Sequence, residues 1–172
     1  MQGIVTEYPH FLTATNLEWK PLLLRNEHKD IIIEGMRFMV KAKRTKIISF
    51  VIMPNHFRLM WQILPGYDQF KAQRDFLRHA AQKIKWNLEL NYPMELEKYR
   101  VMTSDRTYQF WERNPMSVEI RTERFLLQKL NYIHMNPVRA GICKLPEEYL
   151  YSSARFYETA IDNWGFLSHY LG

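Results

Sequence analysis

Cysteine is almost absent: Cys143 is the only one in 172 residues. A single cysteine rules out an internal disulfide framework, and a reducing, cytoplasmic setting is expected. Long hydrophobic runs are missing too. No stretch is long enough to span a bilayer, and the first residues do not read as a signal peptide, so neither membrane insertion nor secretion is expected. Acidic charge is in deficit, with 18 Asp and Glu against 24 Lys and Arg, which leaves a net charge of +6 and a pI near 9.4. That balance favours a polyanionic partner. The surplus is uneven. Residues 20–46 hold eight Lys and Arg against three Asp and Glu, whereas residues 141–172 hold two against four. Binding is therefore expected away from the C-terminal tail. No internal repeat and no low-complexity tract is present. What is present is apolar material, 47% of residues, with 15% aromatics. That is enough for one globular domain with a real core, spanning residues 1–172.

The most informative stretch runs from Ser49 to Trp61. The apolar run from Ile47 to Met53 reads as a buried strand, and Pro54-Asn55 as a tight turn. From His56 to Ile63 the side chains alternate. Phe57, Leu59, Trp61 and Ile63 point one way, and His56, Arg58, Met60 and Gln62 the other. A central hairpin thus sets a histidine beside an arginine on one sheet face. Before it, an extended lead-in covers residues 1–9, and residues 10–16 read as a first strand. A first helix follows from a cap at Asn26 to about Lys43, with Ile32, Ile33, Met36, Met39 and Val40 on its apolar face. Lys29, Arg37, Lys41 and Lys43 fall on its polar side.

After the hairpin, Asp68 is a candidate cap for a second helix to about Leu90. Phe70, Leu77, Ala81, Ile84 and Leu88 mark its buried stripe. Tyr108 to Glu112 reads as a fourth strand, limited by Pro115. Thr122 is a candidate cap for a third long helix that reaches Met135 or Asn136, with Pro137 stopping it or sitting just beyond its end. Leu126, Leu130 and Ile133 form its inner stripe, and Tyr132 and Asn136 share a neighbouring side one turn apart. The order strand, helix, strand, strand, helix, strand, helix is an α+β, split β-α-β layout with helices covering one sheet face; a helix-free face bearing His56 and Arg58 fits that order and leaves room for the third long helix to bring Tyr132 across the sheet edge.

These residue types support one chemistry in particular. A histidine beside a turn can ligate a divalent ion or act as a base. Asn136 offers a neutral oxygen, and Tyr132 a hydroxyl able to act as a covalent nucleophile. A divalent ion polarises a phosphodiester, and a cationic surface holds the backbone meanwhile. Each residue also has a plain structural role open to it: His56 satisfying a turn, Tyr132 packing, Asn136 ending a helix. Trp111 and Arg113 are open to stacking on or gripping an unpaired base, though packing in the core is the commoner fate of tryptophan. His10 is an outside candidate for contact with DNA or metal.

Three segments carry a resemblance. Met53-Pro-Asn-His-Phe-Arg-Leu-Met60 resembles the metal-site strand of the single-tyrosine, HUH-type transposases that act on single-stranded DNA. Lys129-Leu-Asn-Tyr-Ile-His-Met-Asn-Pro-Val-Arg-Ala-Gly141 resembles their tyrosine helix. Glu147-Glu-Tyr-Leu-Tyr-Ser-Ser-Ala-Arg155 is similar to the tail of the repetitive-element-associated branch. The similarity runs in one order over about residues 8–157. It implies a ferredoxin-like core and binding to DNA hairpins with adjacent single strand. It implies attack by Tyr132, giving a 5′-phosphotyrosine and a free 3′-hydroxyl, then a second transfer that rejoins DNA. His56 matches the first metal histidine, and Asn136 the polar position that completes a shell for Mg²⁺ or Mn²⁺.

Where the second metal histidine is expected, this chain has Arg58, a fixed cation with no lone pair to offer. Three consequences stand side by side: weak metal binding through His56, Asn136 and phosphate; an Arg58 that itself neutralises the scissile phosphate; or DNA binding without cleavage. DNA contacts are expected from Lys41, Lys43, Arg44, Arg74, Arg78, Lys129 and Arg139. Monomers and dimers both occur in the family, so a homodimer is open. An RNA-binding module on the same kind of sheet is the reading from another class.

Overall fold

Alternation along the central hairpin builds the sheet on which the other elements hang. The computed structural model describes residues 8–172, so the expected lead-in lies, through residue 7, outside the described residues. Four strands form one antiparallel sheet: β1 (His10–Thr15), β2 (Thr45–Met53), β3 (His56–Ile63) and β4 (Met116–Glu119), in the order β2-β3-β1-β4. Helix α1 (Asn26–Lys41) links β1 to β2, and α2 (Gln69–Asn91) leads from β3 towards β4 by way of the short α3 (Pro93–Leu96). Each crossover skips a strand that slots in between, which is the split β-α-β pattern of a ferredoxin-like sheet. Then come α4 (Glu123–Arg139) and α5 (Ala154–Thr159). Among the described residues no helix is long and apolar enough to cross a membrane.

The sheet is buried on both faces. On one, Leu12, Phe50, Ile52, Phe57, Leu59 and Trp61 pack against Ile32, Ile33 and Met36 of α1 and Phe76, Leu77, Ile84 and Leu88 of α2. On the other, Phe11, Ile48, Val51, Met53 and Met60 pack against Ile120 and against Leu130 and Ile133 of α4. The His56–Arg58 face is therefore not helix-free: α4 does more than reach across the sheet edge, since its inner stripe packs on this face. Val51, Met53 and Met60 need a cover, and the inner stripe of α4 supplies it. A register irregularity between Ile47 and Ser49 turns Ile47 to the first face and Ile48 to the second, as an extra residue in one strand does. The C-terminal tail closes the outer edge of β2. Ile52 N–H donates to the Tyr151 carbonyl, Phe50 N–H to Ser153 Oγ, and Leu167 bridges to Ile47.

Other expectations need correction. Tyr108 to Glu112 is not the fourth strand. Tyr108 and Trp111 make single bridges, to Arg100 and Asn16, and β4 begins only after Pro115. The aromatic pattern of that segment reflects packing: Phe110 lies on Tyr99 and Trp111 on Phe57, at 5.3 and 5.5 Å between ring centroids. Phe70 is 78% exposed, and Phe76 fills the core position between Phe57 and Trp61. The cap position of α1 is Arg25, not Asn26, and its side chain pairs with Glu95. Lys29 is buried, its ammonium donating to the Leu24 carbonyl. Pro137 does not stop α4. It sits buried in the final turn, which continues to Arg139 and forgoes one hydrogen bond. The caps at Asp68 and Thr122 are as expected, accepting from Lys71 N–H and Phe125 N–H.

Gly35 shows how closely α1 and α2 approach. A Cβ there stands 2.9 Å from the Phe76 ring. Gly35→Ala gains about 1 kcal/mol in helix propensity, but the ring is wedged against Phe57 and Trp61 and overpacking costs about 1–3 kcal/mol. A lower melting temperature is expected by calorimetry. A rise would mean that the ring moves freely.

Candidate active site

His56 opens β3 directly after the Pro54-Asn55 turn, so the turn fixes where its ring starts. Arg58 follows two residues on, the same face by strand periodicity, opposite Thr13 of β1 and Val51 of β2. Above them, α4 presents Tyr132 and Asn136 one turn apart. The four side chains meet. Arg58 Nη1 donates to His56 Nε2 at 2.7 Å and to Asn136 Oδ1, while Arg58 Nη2 donates to the Tyr132 hydroxyl at 3.2 Å. Asn136 Oδ1 stands 3.0 Å from His56 Nε2. Tyr132 remains 38% exposed, so its hydroxyl is open to a ligand.

The imidazole is held in one tautomer. Asn55 Oδ1 lies 2.7 Å from Nδ1 and accepts its proton, which leaves Nε2 with a lone pair facing Arg58. Burial is the main cause that pushes the pKa of His56 down to about 4. The Asn136 contact opposes the shift and the Arg58 charge adds to it. His134 lies elsewhere on α4, on Ser153 Oγ at 2.8 Å, and burial lowers its pKa to about 4 as well. Both rings fold neutral, whereas the unfolded chain protonates them near 6.5. As pH falls from 6.5 towards 4 the unfolded state takes up protons first, so stability is lost in that window. Each ring accounts for at most about 3 kcal/mol. Urea titrations across this range are expected to show the loss, and His134→Gln to flatten it. A flat wild-type profile would contradict the neutral-ring assignment.

The donor set does not fit a divalent ion in this arrangement. His56 Nε2 and Asn136 Oδ1 are suitable donors, but one guanidinium nitrogen engages both. Arg58 brings a permanent positive charge to the place where the ion has to sit. Among the described residues no group of three or more His, Cys, Asp or Glu is placed to hold a metal.

Cations crowd the tyrosine. The Arg58 and Arg139 guanidinium carbons lie 4.7 and 4.5 Å from the centroid of its ring, and Lys129 Nζ lies 5.3 Å away. Lys129 and Arg139 thus join the site. Lys41, Lys43 and Arg44 do not. They lie at the end of α1 and in the turn before β2, and β2 runs roughly 25 Å from there to Met53, the partner of His56. Arg74 and Arg78 line a separate groove of about 670 Å³ beside α2, with Arg106 and Arg113. His10 is buried at the far end of β1, paired with Trp61, on the opposite face from His56. Trp111 is a packing residue, its indole N–H donating to the Leu77 carbonyl. The sequence reading missed Asn55 as the residue that sets the tautomer, because a turn asparagine next to a histidine has no signal beyond its turn propensity. It also missed Trp19, whose ring meets His56 edge-on at 6.1 Å, because no periodicity marks it.

A four-stranded antiparallel sheet with Tyr132 carried on a helix above the His56 strand is the arrangement that the sequence resemblance led one to expect. No model of a protein family matches the chain. A Haemophilus influenzae protein described as a REP-associated tyrosine transposase is 23% identical over 157 residues, covering 87% of this chain and 85% of that protein. The solved structure of a REP-associated tyrosine transposase bound to a REP hairpin superposes with a TM-score of 0.66 at 17% identity, over 95% of this chain and 87% of the other. A Deinococcus radiodurans protein described as a transposase superposes at 0.44, with 15% identity over 77% and 93% of the two chains, too loosely to bear on the fold. The chain is homologous to the REP-associated tyrosine transposases.

Proposed function

We propose that this chain binds hairpin DNA with an adjacent single strand and cuts that strand with Tyr132. Homology to a REP-associated tyrosine transposase supports DNA binding and cleavage as the general activity, and a related fold has been solved on a REP hairpin. The observation that carries the finer reading is the contact of the Tyr132 hydroxyl with Arg58, inside a ring of cations. A phosphodiester drawn there lies against a fork that suits two phosphate oxygens, next to the one partly exposed phenol of the cluster. The phenol oxygen forms a bond to phosphorus as the bond from phosphorus to the 3′-oxygen breaks. The phenol proton leaves to water, and the departing oxygen takes one from water. One ester replaces another, so no external energy source is needed for rejoining. In this reading Arg58 neutralises the developing charge, Lys129 and Arg139 hold the backbone, and His56 and Asn136 orient Arg58.

The second reading is DNA binding without cleavage. It is favoured by the same contacts if Arg58 keeps hold of Asn136 and His56 when phosphate arrives. Incubation with a labelled hairpin oligonucleotide, followed by denaturation, separates the two. A covalent adduct that depends on Tyr132 supports cleavage, and retention without an adduct supports the binder.

A further inference from the structure

Next to this site the backbone does something costly. Glu18 and Trp19 both adopt left-handed conformations, with φ of 53° and 58°. Neither is glycine, so the left-handed backbone is strained at both. The turn is nevertheless held firmly. Glu18 N–H donates to Glu112 Oε1 at 2.6 Å, Lys20 Nζ donates to the Lys98 carbonyl at 2.6 Å, and Trp19 N–H donates to the Asn16 carbonyl at 3.0 Å. Asn16 is fully buried, and its N–H donates to the carbonyl of Asn55, the residue that holds the His56 ring. The strained turn and the histidine are thus one rigid unit. This arrangement leaves Trp19 61% exposed, with its ring edge-on to His56 at 6.1 Å. The indole adds little to the core, so packing does not account for the strain.

We infer that Trp19 is a stacking platform for an unpaired base of the bound strand, beside the phosphate held by Arg58. The inference rests on the single-stranded DNA reading above and adds a positioning residue to it. The chemistry fits. An exposed indole offers a π-face to any base, and the His56 ring that it meets is also the ring that Arg58 contacts. A nucleotide whose phosphate meets Arg58 has its own base, or its neighbour's, within reach of Trp19. Stacking of this kind is tolerant of sequence, so the platform sets where the strand lies rather than which base is read.

The test uses a hairpin oligonucleotide with an oligothymidylate extension, in the Tyr132→Phe background so that no covalent adduct forms. Fluorescence anisotropy measures affinity. Trp19→Ala and Trp19→Leu are expected to weaken binding about fivefold to a hundredfold, and Trp19→Phe to recover most of it. Leucine keeps apolar bulk without a π-face, so a merely structural role predicts rescue by leucine as well. Abasic substitutions along the extension are expected to erase the difference between Trp19 and alanine at one position only. Equal affinity for the Trp19 and Trp19→Ala chains, rescue by leucine, or a difference indifferent to every abasic site overturns the inference while leaving DNA binding intact. Failure of every variant to bind the oligonucleotide overturns the DNA reading and this inference together.

Discussion

Arg58→Ala is expected to slow formation of the Tyr132–DNA adduct by about 10²–10³-fold, the usual cost of removing one donor aimed at developing charge. Arg58 makes three contacts at once, to His56, Asn136 and Tyr132, so its loss also frees those partners. Lysine recovers little, because a single ammonium cannot reproduce a fork that reaches all three. The wild-type reaction is expected to persist in excess EDTA, since the positive charge is covalently part of the chain. Arg58→His tests the idea from the opposite side. It removes the fixed cation and adds a second imidazole to His56 and Asn136, a donor set that suits a divalent ion. Its adduct formation is expected to require Mn²⁺. A wild-type reaction abolished by EDTA and restored by Mn²⁺ would show that Arg58 moves aside for an ion.

Tyr132→Phe is expected to leave no covalent adduct. The substitution removes only the hydroxyl, and the ring keeps its place against Phe11 at 6.3 Å between centroids. Three tyrosines of the C-terminal segment are poorly suited to substitute. The Tyr149 hydroxyl donates to the Ile52 carbonyl and that of Tyr157 to the Ile48 carbonyl, and burial above all pushes both pKa values up to about 12. Tyr151 donates to Asp30 and is likewise shifted upwards, first by burial and then by that carboxylate. A phenol that is buried, already donating and harder to ionise is a weak nucleophile. Peptide mapping of the adduct is therefore expected to find DNA on Tyr132 alone. An adduct on any other tyrosine would place the chemistry elsewhere.

The hairpin was legible because both of its signals are local. Alternation from His56 to Ile63 fixes which side chains share a face, and Pro54-Asn55 fixes the turn, so His56 and Arg58 were placed together from spacing alone. The helix carrying Tyr132 was legible for the same reason. Its apolar stripe and the Thr122 cap need no partner to be seen. Phe70 and the Tyr108–Glu112 segment misled because aromatic residues satisfy strand and helix patterns equally well, and only packing assigns them. Phe76 won the core because Phe57 and Trp61 form its slot. β4 was hidden because an edge strand of four residues, Met116–Glu119, with one face half open, has little pattern to show.

Periodicity, caps and charge were enough to establish the β-α-β-β-α-β order, the basic character and the placing of His56 beside Arg58, while the resemblance of the tyrosine helix joined Tyr132 to them. Those properties depend on neighbours a few residues away. Which cations reach Tyr132, which asparagine holds the His56 ring, and how a strained turn brings Trp19 to the same place depend on contacts between residues far apart in the chain. Arg58 illustrates the difference. From the sequence it was a missing metal ligand or a phosphate-neutralising cation, and what folding added was the three side chains set around its guanidinium.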